Sequence, residues 1–150
     1  ISPKSLPNFV PFVHPIFSAM QKSLLFCLFF CGLFHTAYTQ KTPPPAVITA
    51  FQEKFQQIQK LEWEKEKNGD WEAAFKENGV EMSANFTPGG QWVETETEVE
   101  FAELPTPVQT ALRGKKVKET ARIQRSDGSI IYEAEVRGKD LLFEASGKML

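Results

Sequence analysis

The side chains with the clearest chemical potential are the carboxylates of residues 92–100, WVETETEVE. Because side chains alternate across a strand, a strand here would place the tryptophan and all four glutamates on one face. Like charges in a row repel one another, so the row should lie in water unless a cationic surface meets it. The predicted partner-binding residues are Trp92, Glu94, Glu96, Glu98 and Glu100.

Two further interpretations of this glutamate row stay open. A row of carboxylates on a sheet can be a solvated face that binds nothing. Calcium is coordinated by carboxylate oxygens, but the row lacks a loop that could wrap around an ion. We therefore predict no metal site and no cofactor, and a basic protein surface is the favoured partner.

Catalysis has few candidate residues in this chain. Its two histidines and two cysteines all precede residue 40, at His14, His35, Cys27 and Cys31. Residues 40–150 therefore cannot form a Ser–His or Cys–His nucleophile or a common zinc site. Paired carboxylates can hydrolyse glycosides, but nothing in the pattern marks any two of the 19 acidic residues as such a pair. We predict that the protein is not an enzyme.

The segment from Met20 to about Thr39 has the layout of a secretory signal peptide. Lys22 precedes an apolar run that is shorter than the roughly 20 residues of a membrane-spanning helix. We predict export to the periplasm or out of the cell, with no membrane-embedded part after cleavage. An uncleaved membrane anchor and a lipid-modified Cys31 are the alternatives.

The remaining sequence divides into an upstream extension and one domain. Residues 1–19 begin without Met and hold four prolines, which favours an untranslated or disordered extension. Residues 40–150 carry all 19 acidic side chains and 15 of the 17 basic ones, so they lack the basic face that nucleic acids require. We predict a single domain over 40–150 that does not bind nucleic acid.

The elements that must position the glutamates form a pattern that occurs twice. Residues 44–103 begin with a helical stripe and continue with four alternating segments between turn sequences such as Asn78-Gly79. The stripe consists of Val47, Phe51, Phe55 and Ile58. The fourth segment, residues 91–101, carries the glutamate row. Residues 104–150 repeat the arrangement with a helix that Gly114 shortens.

A repeated triplet supports this internal duplication. Trp71-Glu72-Ala73 returns as Tyr132-Glu133-Ala134, and Phe86 followed by Gly90 returns as Phe143 followed by Gly147. One unit alone would bury a small core, whereas two units that share a sheet bury a larger one. We predict an α+β fold in which two tandem helix-plus-antiparallel-meander units form one continuous antiparallel sheet, with the helices on one face.

The order of these motifs resembles that of a known family, the PepSY-like periplasmic proteins of Bacteroidetes, which are related in fold to the beta-lactamase inhibitor protein. The matching residues are Trp63, Trp71-Glu72-Ala73, Phe75, Asn78-Gly79, Phe86, Gly90, Trp92, Leu104-Pro105 and Tyr132-Glu133. The resemblance covers about residues 44–150 and implies the same tandem, one-sided sheet. It implies no activity. The chain departs from the family pattern around Gly114-Lys115-Lys116, after the second helix.

These observations favour an exported, non-catalytic binding protein. The leading hypothesis is a protein-binding or inhibitor-like module that uses the sheet face without helices, and the partner is another envelope or secreted protein. The alternatives are a periplasmic sensor that binds a small ligand or a cation, and a scaffold that associates with itself.

Overall fold

A computed structural model of the protein describes residues 42–150. The predicted extension 1–19 and the predicted signal peptide Met20–Thr39 lie outside the described residues. The described chain contains helices α1 (Pro45–Lys54) and α2 (Thr106–Ala111), a one-turn 3-10 helix (Phe101–Glu103), and strands β1 (Ile58–Lys65), β2 (Trp71–Glu77), β3 (Val80–Phe86), β4 (Trp92–Glu98), β5 (Val117–Arg125), β6 (Ile130–Val136) and β7 (Asp140–Glu144).

The strands form one seven-stranded sheet in the order of the sequence, and every neighbouring pair is antiparallel. The predicted continuous antiparallel sheet is therefore confirmed over residues 42–150. That the two halves are copies of one unit stays a prediction. The chain crosses from the first half to the second between β4 and β5, which pair like any other neighbours.

Both helices pack on one face of the sheet. In an antiparallel pair, directly opposite residues project to the same face, so one row of side chains can be followed through six strands. That row is Phe75, Met82, Thr97, Arg122, Tyr132 and Phe143. It runs beneath two apolar clusters, and α1 contributes Val47 and Phe51 to the first while α2 contributes Val108 to the second.

The aromatic ring of Phe51 lies at the centre of the first cluster. Its centroid is 5.1 Å from that of Phe75 and 5.2 Å from that of Trp63, and both rings meet it edge to face. Such edge-to-face pairs add to the stabilisation that burial of the rings provides. This cluster fixes α1 across β1, β2 and β3.

Helix α1 is shorter than the helical stripe predicts. Prolines begin it, which suits the first turn because those N–H groups lack helical partners. Phe55 then takes an extended conformation while its N–H still donates to the Phe51 carbonyl. Ile58, expected on the helix, instead begins β1, so its inclusion in the helical stripe was wrong.

Helix α2 is short, as expected, and the Gln109 side chain connects it to the residues before it. Its side-chain amide donates to the Ala102 and Leu104 carbonyls and so ties α2 to the preceding turn. After Gly147, the chain forms a single bridge between Met149 and Phe143.

Two glycine turns hold the helices against the sheet. A Cβ atom on Gly90 would lie 2.6 Å from the Ala46 carbonyl oxygen, and one on Gly147 would lie 2.6 Å from that of Pro107. Both glycines also have positive φ, which favours glycine. Each helix start is thus packed directly on a turn that only glycine can form.

Candidate functional site

The second face of the sheet carries the predicted glutamates. Its central rows, which we call the helix-free face, contain Glu72, Ser83, Asn85, Glu94, Glu96, Glu98, Ala121, Ile123 and Glu133. Glu96 is the middle residue of one row, where it pairs with Ser83 on β3 and with Ile123 on β5. Within residues 42–150, both helices lie on the opposite side. Alternation along β4 therefore places Glu94, Glu96 and Glu98 together, as predicted.

Trp92 does not share this face, which corrects the predicted alternation. The ladder shifts between Asn85 and Phe86, so that Trp92 opposes Phe86 while Glu94 opposes Asn85. Val93 is thus an extra residue in a β-bulge, and a bulge changes the face to which the preceding side chain points. The Trp92 ring packs against the apolar cluster under α1.

The contacts of Trp92 explain why it stays there. Its indole N–H donates to Thr95 Oγ1 at 2.9 Å, and the Lys54 Nζ atom lies 3.7 Å from a ring centroid. A cation over an indole face is attracted by the ring electrons. The tryptophan therefore serves to position α1.

Glu100 is also separated from the glutamate row. Strand β4 ends at Glu98, and Glu100 precedes the 3-10 helix, where its backbone N–H donates to the Glu103 carboxylate at 2.7 Å. Its side chain accepts in return from the Glu103 backbone. Glu100 is therefore a helix-capping residue in this structure.

The three glutamates that share the face have different surroundings. Glu94 is buried and accepts from the Arg125 Nε atom at 3.2 Å, which compensates its charge. Glu98 is exposed. Glu96 lies between them, and its Oε2 atom is inaccessible and has no hydrogen-bond partner among the described residues.

Glu96 has a strongly perturbed acidity. Burial raises the pKa of the Glu96 carboxyl to about 8, and the negative charges of Glu133, Glu72, Glu94 and Asp140 add to the rise. The cause is that a charged carboxylate loses hydration in a buried site, and nearby like charges repel it further. A cation placed beside the carboxyl would oppose this rise and favour the ionised form.

Two acidic residues of this site were not among the predicted ones. Burial raises the pKa of Glu72 to about 7, with the charge of Glu66 adding to it, and burial likewise raises the pKa of Glu133 to about 7, with the charge of Asp140 adding to it. Both occupy the middle of the repeated triplet. The repeated triplet could have identified them from the sequence. In both copies an acid lies between two apolar residues, which predicts that the two acids occupy equivalent positions on the same face of the sheet.

Glu96 and Glu133 line a partly open cavity of about 70 Å³. Among the described residues, its lining contains seven acids and no lysine or arginine. We call it the acidic cavity, and its acids are Glu81, Glu96, Glu98, Glu119, Glu133, Glu135 and Asp140. A concentration of one charge sign in a recess attracts ligands of the opposite sign.

A second acidic group lies at the β1–β2 end of the face. Carboxylate oxygens of Glu64, Glu66 and Glu72 all lie within 4.8 Å of one another. Oxygens at this spacing can coordinate a hard cation such as calcium. The cluster was not predicted, because the pairing of Glu64 with Glu72 depends on the register of the first hairpin.

The fold matches solved structures from Bacteroides species. One from Bacteroides eggerthii, described as "putative periplasmic proteins", is 23% identical, with a TM-score of 0.66 over 73% of this chain and 87% of that chain. A DUF2874 family protein from Bacteroides ovatus is 23% identical, with a TM-score of 0.65 over 73% and 86%. A BLIP-like protein from Bacteroides fragilis is 23% identical, with a TM-score of 0.60 over 73% and 84%.

At this level of identity the structural matches establish a shared fold. No curated protein matches the chain. The profile of the family described as "Putative beta-lactamase-inhibitor-like, PepSY-like" matches residues 69–150, which is more than half of the sequence. The match includes the glutamate row and both members of the repeated triplet. The chain therefore belongs to the PepSY-like, beta-lactamase-inhibitor-like family.

Proposed function

We propose that the protein is an exported, non-catalytic module that binds a basic segment of another envelope or secreted protein on its helix-free face. The observation that carries this proposal is the acidic cavity, in which the Glu96 carboxyl lies without a compensating charge. A cationic surface would supply that charge. Binding proteins use such complementarity to select partners and to speed their encounter.

The residue inventory and the comparisons support binding over catalysis. Residues 40–150 contain no histidine or cysteine, and the family description is inhibitor-like. A related protein is described as BLIP-like, which fits a partner that is itself an enzyme. We infer an inhibitor role for this chain by analogy of fold, and the acidic helix-free face is the physical feature that supports it.

Export is supported by the relatives and by the signal-peptide pattern of residues 20–39. One solved relative is described as periplasmic. No helix within residues 42–150 is long and apolar enough to cross a membrane. The partner is therefore expected among envelope and secreted proteins.

The proposal is tested by capture from an envelope extract, with Gln40–Leu150 as bait and mass spectrometry as readout. We expect an enriched protein with a basic surface, whose affinity falls about tenfold with Glu98→Lys, because a contact charge is reversed. Glu53→Lys is the matched control, since Glu53 is equally exposed but lies on α1. An unchanged affinity with Glu98→Lys, or an equal loss with both variants, would contradict the proposal.

A second candidate function is a periplasmic sensor for a cation or small ligand. The cluster of Glu64, Glu66 and Glu72 favours it, and the buried Ser83 hydroxyl faces the Glu72 carboxyl without completing a hydrogen bond. A bound ion stabilises the folded state, so calcium should raise the melting temperature. Glu64→Gln should abolish the rise, and Glu62→Gln on the same strand should not. No rise with calcium in the unsubstituted protein would reject this candidate.

A further inference from the structure

The acidic cavity has room for one organic cation. Each water in such a space needs about 10–15 Å³, so a cavity of about 70 Å³ holds roughly five waters. A guanidinium group with its adjoining methylene needs comparable room. The lining also includes Ala121, which is 6% exposed and offers an apolar contact for a methylene.

Two polar atoms of the cavity lack partners. Ser83 lines the cavity and is only 3% exposed; its hydroxyl faces the Glu72 carboxyl without completing a hydrogen bond, and its Oγ atom can still accept one from a ligand. The Glu96 Oε2 atom is also buried and has no hydrogen-bond partner among the described residues. A buried polar atom without a partner costs stability, because it has lost its bonds to water and gained none in the protein. A ligand that donates hydrogen bonds to both atoms would remove this cost.

Three of the seven acids that line the cavity have basic partners, whereas the other four have none among the described residues. Lys118 pairs with Glu119 and Glu135, and Lys76 pairs with Glu81. For Glu96, Glu133 and Asp140, no lysine or arginine nitrogen lies within 4.0 Å among residues 42–150. Glu98 also has no basic partner there, and of these four acids Glu133 is buried and Glu96 is half-buried, whereas Glu98 and Asp140 are exposed. The carboxyls without a basic partner thus include the deepest ones of the cavity.

The spacing of the acids without a basic partner favours an extended cation over a metal ion. Within residues 42–150, the only acidic trio whose carboxylate oxygens lie within 4.8 Å of one another is the Glu64 cluster. The carboxyls of Glu96, Glu133 and Asp140 are therefore too far apart to share one ion. A guanidinium group spreads five N–H donors over a plane and can reach several acceptors at once. Its charge is also more weakly hydrated than that of an ammonium group.

We propose that the acidic cavity receives one arginine side chain from the protein that binds the helix-free face. The guanidinium group donates to Glu96 Oε2 and Ser83 Oγ, and the carboxyls of Glu133 and Asp140 supply further negative charge. Ala121 contacts the terminal methylene. This inference rests on the proposed function and names the anchoring contact of that interface.

The test uses the protein produced from its full sequence, purified, and titrated with N-acetyl-arginine amide at pH 8.5. Methyl NMR signals of Ala121 and Ile123 report on the cavity, since Ile123 pairs with Glu96. We expect these signals to shift and to saturate. N-acetyl-citrulline amide, which has nearly the same shape without the charge, should bind at least tenfold more weakly.

Substitutions distinguish binding in the acidic cavity from attraction by the overall negative charge of the protein. Glu96→Gln keeps the side-chain shape and removes the charge, so it should weaken arginine-amide binding at least tenfold. Glu53→Gln removes one charge from α1 and should leave binding unchanged. A titration that never saturates, an equal response to citrulline, or equal effects of the two substitutions would overturn the proposal.

The failure of this inference is distinguishable from failure of the proposed function. If Glu98→Lys prevents partner capture while arginine amide does not bind, the face binds a partner without an arginine anchor, and only the cavity assignment is wrong. If arginine amide binds but Glu98→Lys leaves capture intact, the cavity accepts a guanidinium group but no partner binds around it, and both the proposed surface and its arginine anchor are overturned. The two measurements share no readout.

Discussion

Glu96 shows how one residue acquires unusual chemistry from its surroundings. The groups that face it are the acids Glu72 on β2, Glu94 on β4, Glu133 on β6 and Asp140 on β7. Arg125 on β5 forms an ion pair with Glu94. Because burial and repulsion act in the same direction, the folded protein holds a proton on Glu96 that the unfolded chain would release.

This proton makes stability depend on pH. The pKa of Glu96 is raised from 4.5 to about 8, so between these values the folded state binds more protons than the unfolded state. Stability should therefore fall as pH rises through this window. At pH 5 we compare the free energy of unfolding of Glu96→Gln with that of the unsubstituted protein, and we expect this difference to shift by roughly 2–4 kcal/mol in favour of the variant at pH 9. Urea unfolding of both proteins at the two pH values measures this. A constant difference between the two proteins would contradict the assigned environment.

Trp92 gives the opposite case, a residue whose type suggested contact but whose position makes it structural. Trp92→Ala should lower the free energy of unfolding by about 2–4 kcal/mol, because the ring packs on the α1 cluster and is only partly exposed. Partner capture by the folded variant should be unchanged. Chemical unfolding and capture are measured on the same preparation, and lost capture with intact stability would return Trp92 to the binding surface.

At the scale of elements, the contact between each helix start and a glycine turn determines how the helices lie on the sheet. The Gly90 turn is closed by a bond from its N–H to the Thr87 carbonyl, and the Gly147 turn by one to the Glu144 carbonyl. Both turns press on the backbone of a helix start, at Ala46 and at Pro107. A side chain there would have to displace a whole helix.

Alanine substitutions at two glycines separate this contact from ordinary backbone strain. Gly90 and Gly79 both have φ near +85°, but only Gly90 has an atom in the way of a Cβ. Gly79→Ala should cost about 1 kcal/mol for the positive φ alone, and Gly90→Ala about 3 kcal/mol or more. Denaturant midpoints give the comparison. Equal losses of stability in the two variants would show that α1 can move to make room for the added methyl group.

For the whole molecule, the sheet separates two kinds of surface. The face under the helices holds both apolar clusters, and the other face holds the acidic cavity. Such a concentration of charge steers a basic partner from a distance and depends on ionic strength. The solved relatives share this fold, and the binding that we propose for this chain depends on the side chains of the helix-free face.

Salt should therefore weaken partner binding mainly through association. Between 20 mM and 500 mM NaCl the screening length falls from about 20 Å to about 4 Å, so we expect the association rate to fall at least tenfold while dissociation changes little. Surface plasmon resonance with the captured partner measures both rates. A salt-independent association rate would show that apolar contacts, and not this field, direct the encounter.

Much of the fold follows from local patterns. Asn78-Gly79 makes its turn because both residues accept positive φ, and alternation along β2 and β3 identifies their buried faces. Periodicity failed at Ile58, since an apolar residue three positions after the buried Phe55 suits a helix, while the chain had already extended at Phe55. Element ends depend on tertiary packing, which periodicity does not record.

The amino-acid sequence by itself determined the order of strands and turns, the acidic row on β4, and the lack of histidine and cysteine after residue 39. Only the tertiary structure decided which acids meet. The bulge at Val93 turned Trp92 away from the glutamates, and strand pairing brought Glu133, far along the chain, close enough to Glu96 to raise its pKa. The physical reason is that one extra residue reverses a face, and that charge repulsion depends on distance in space.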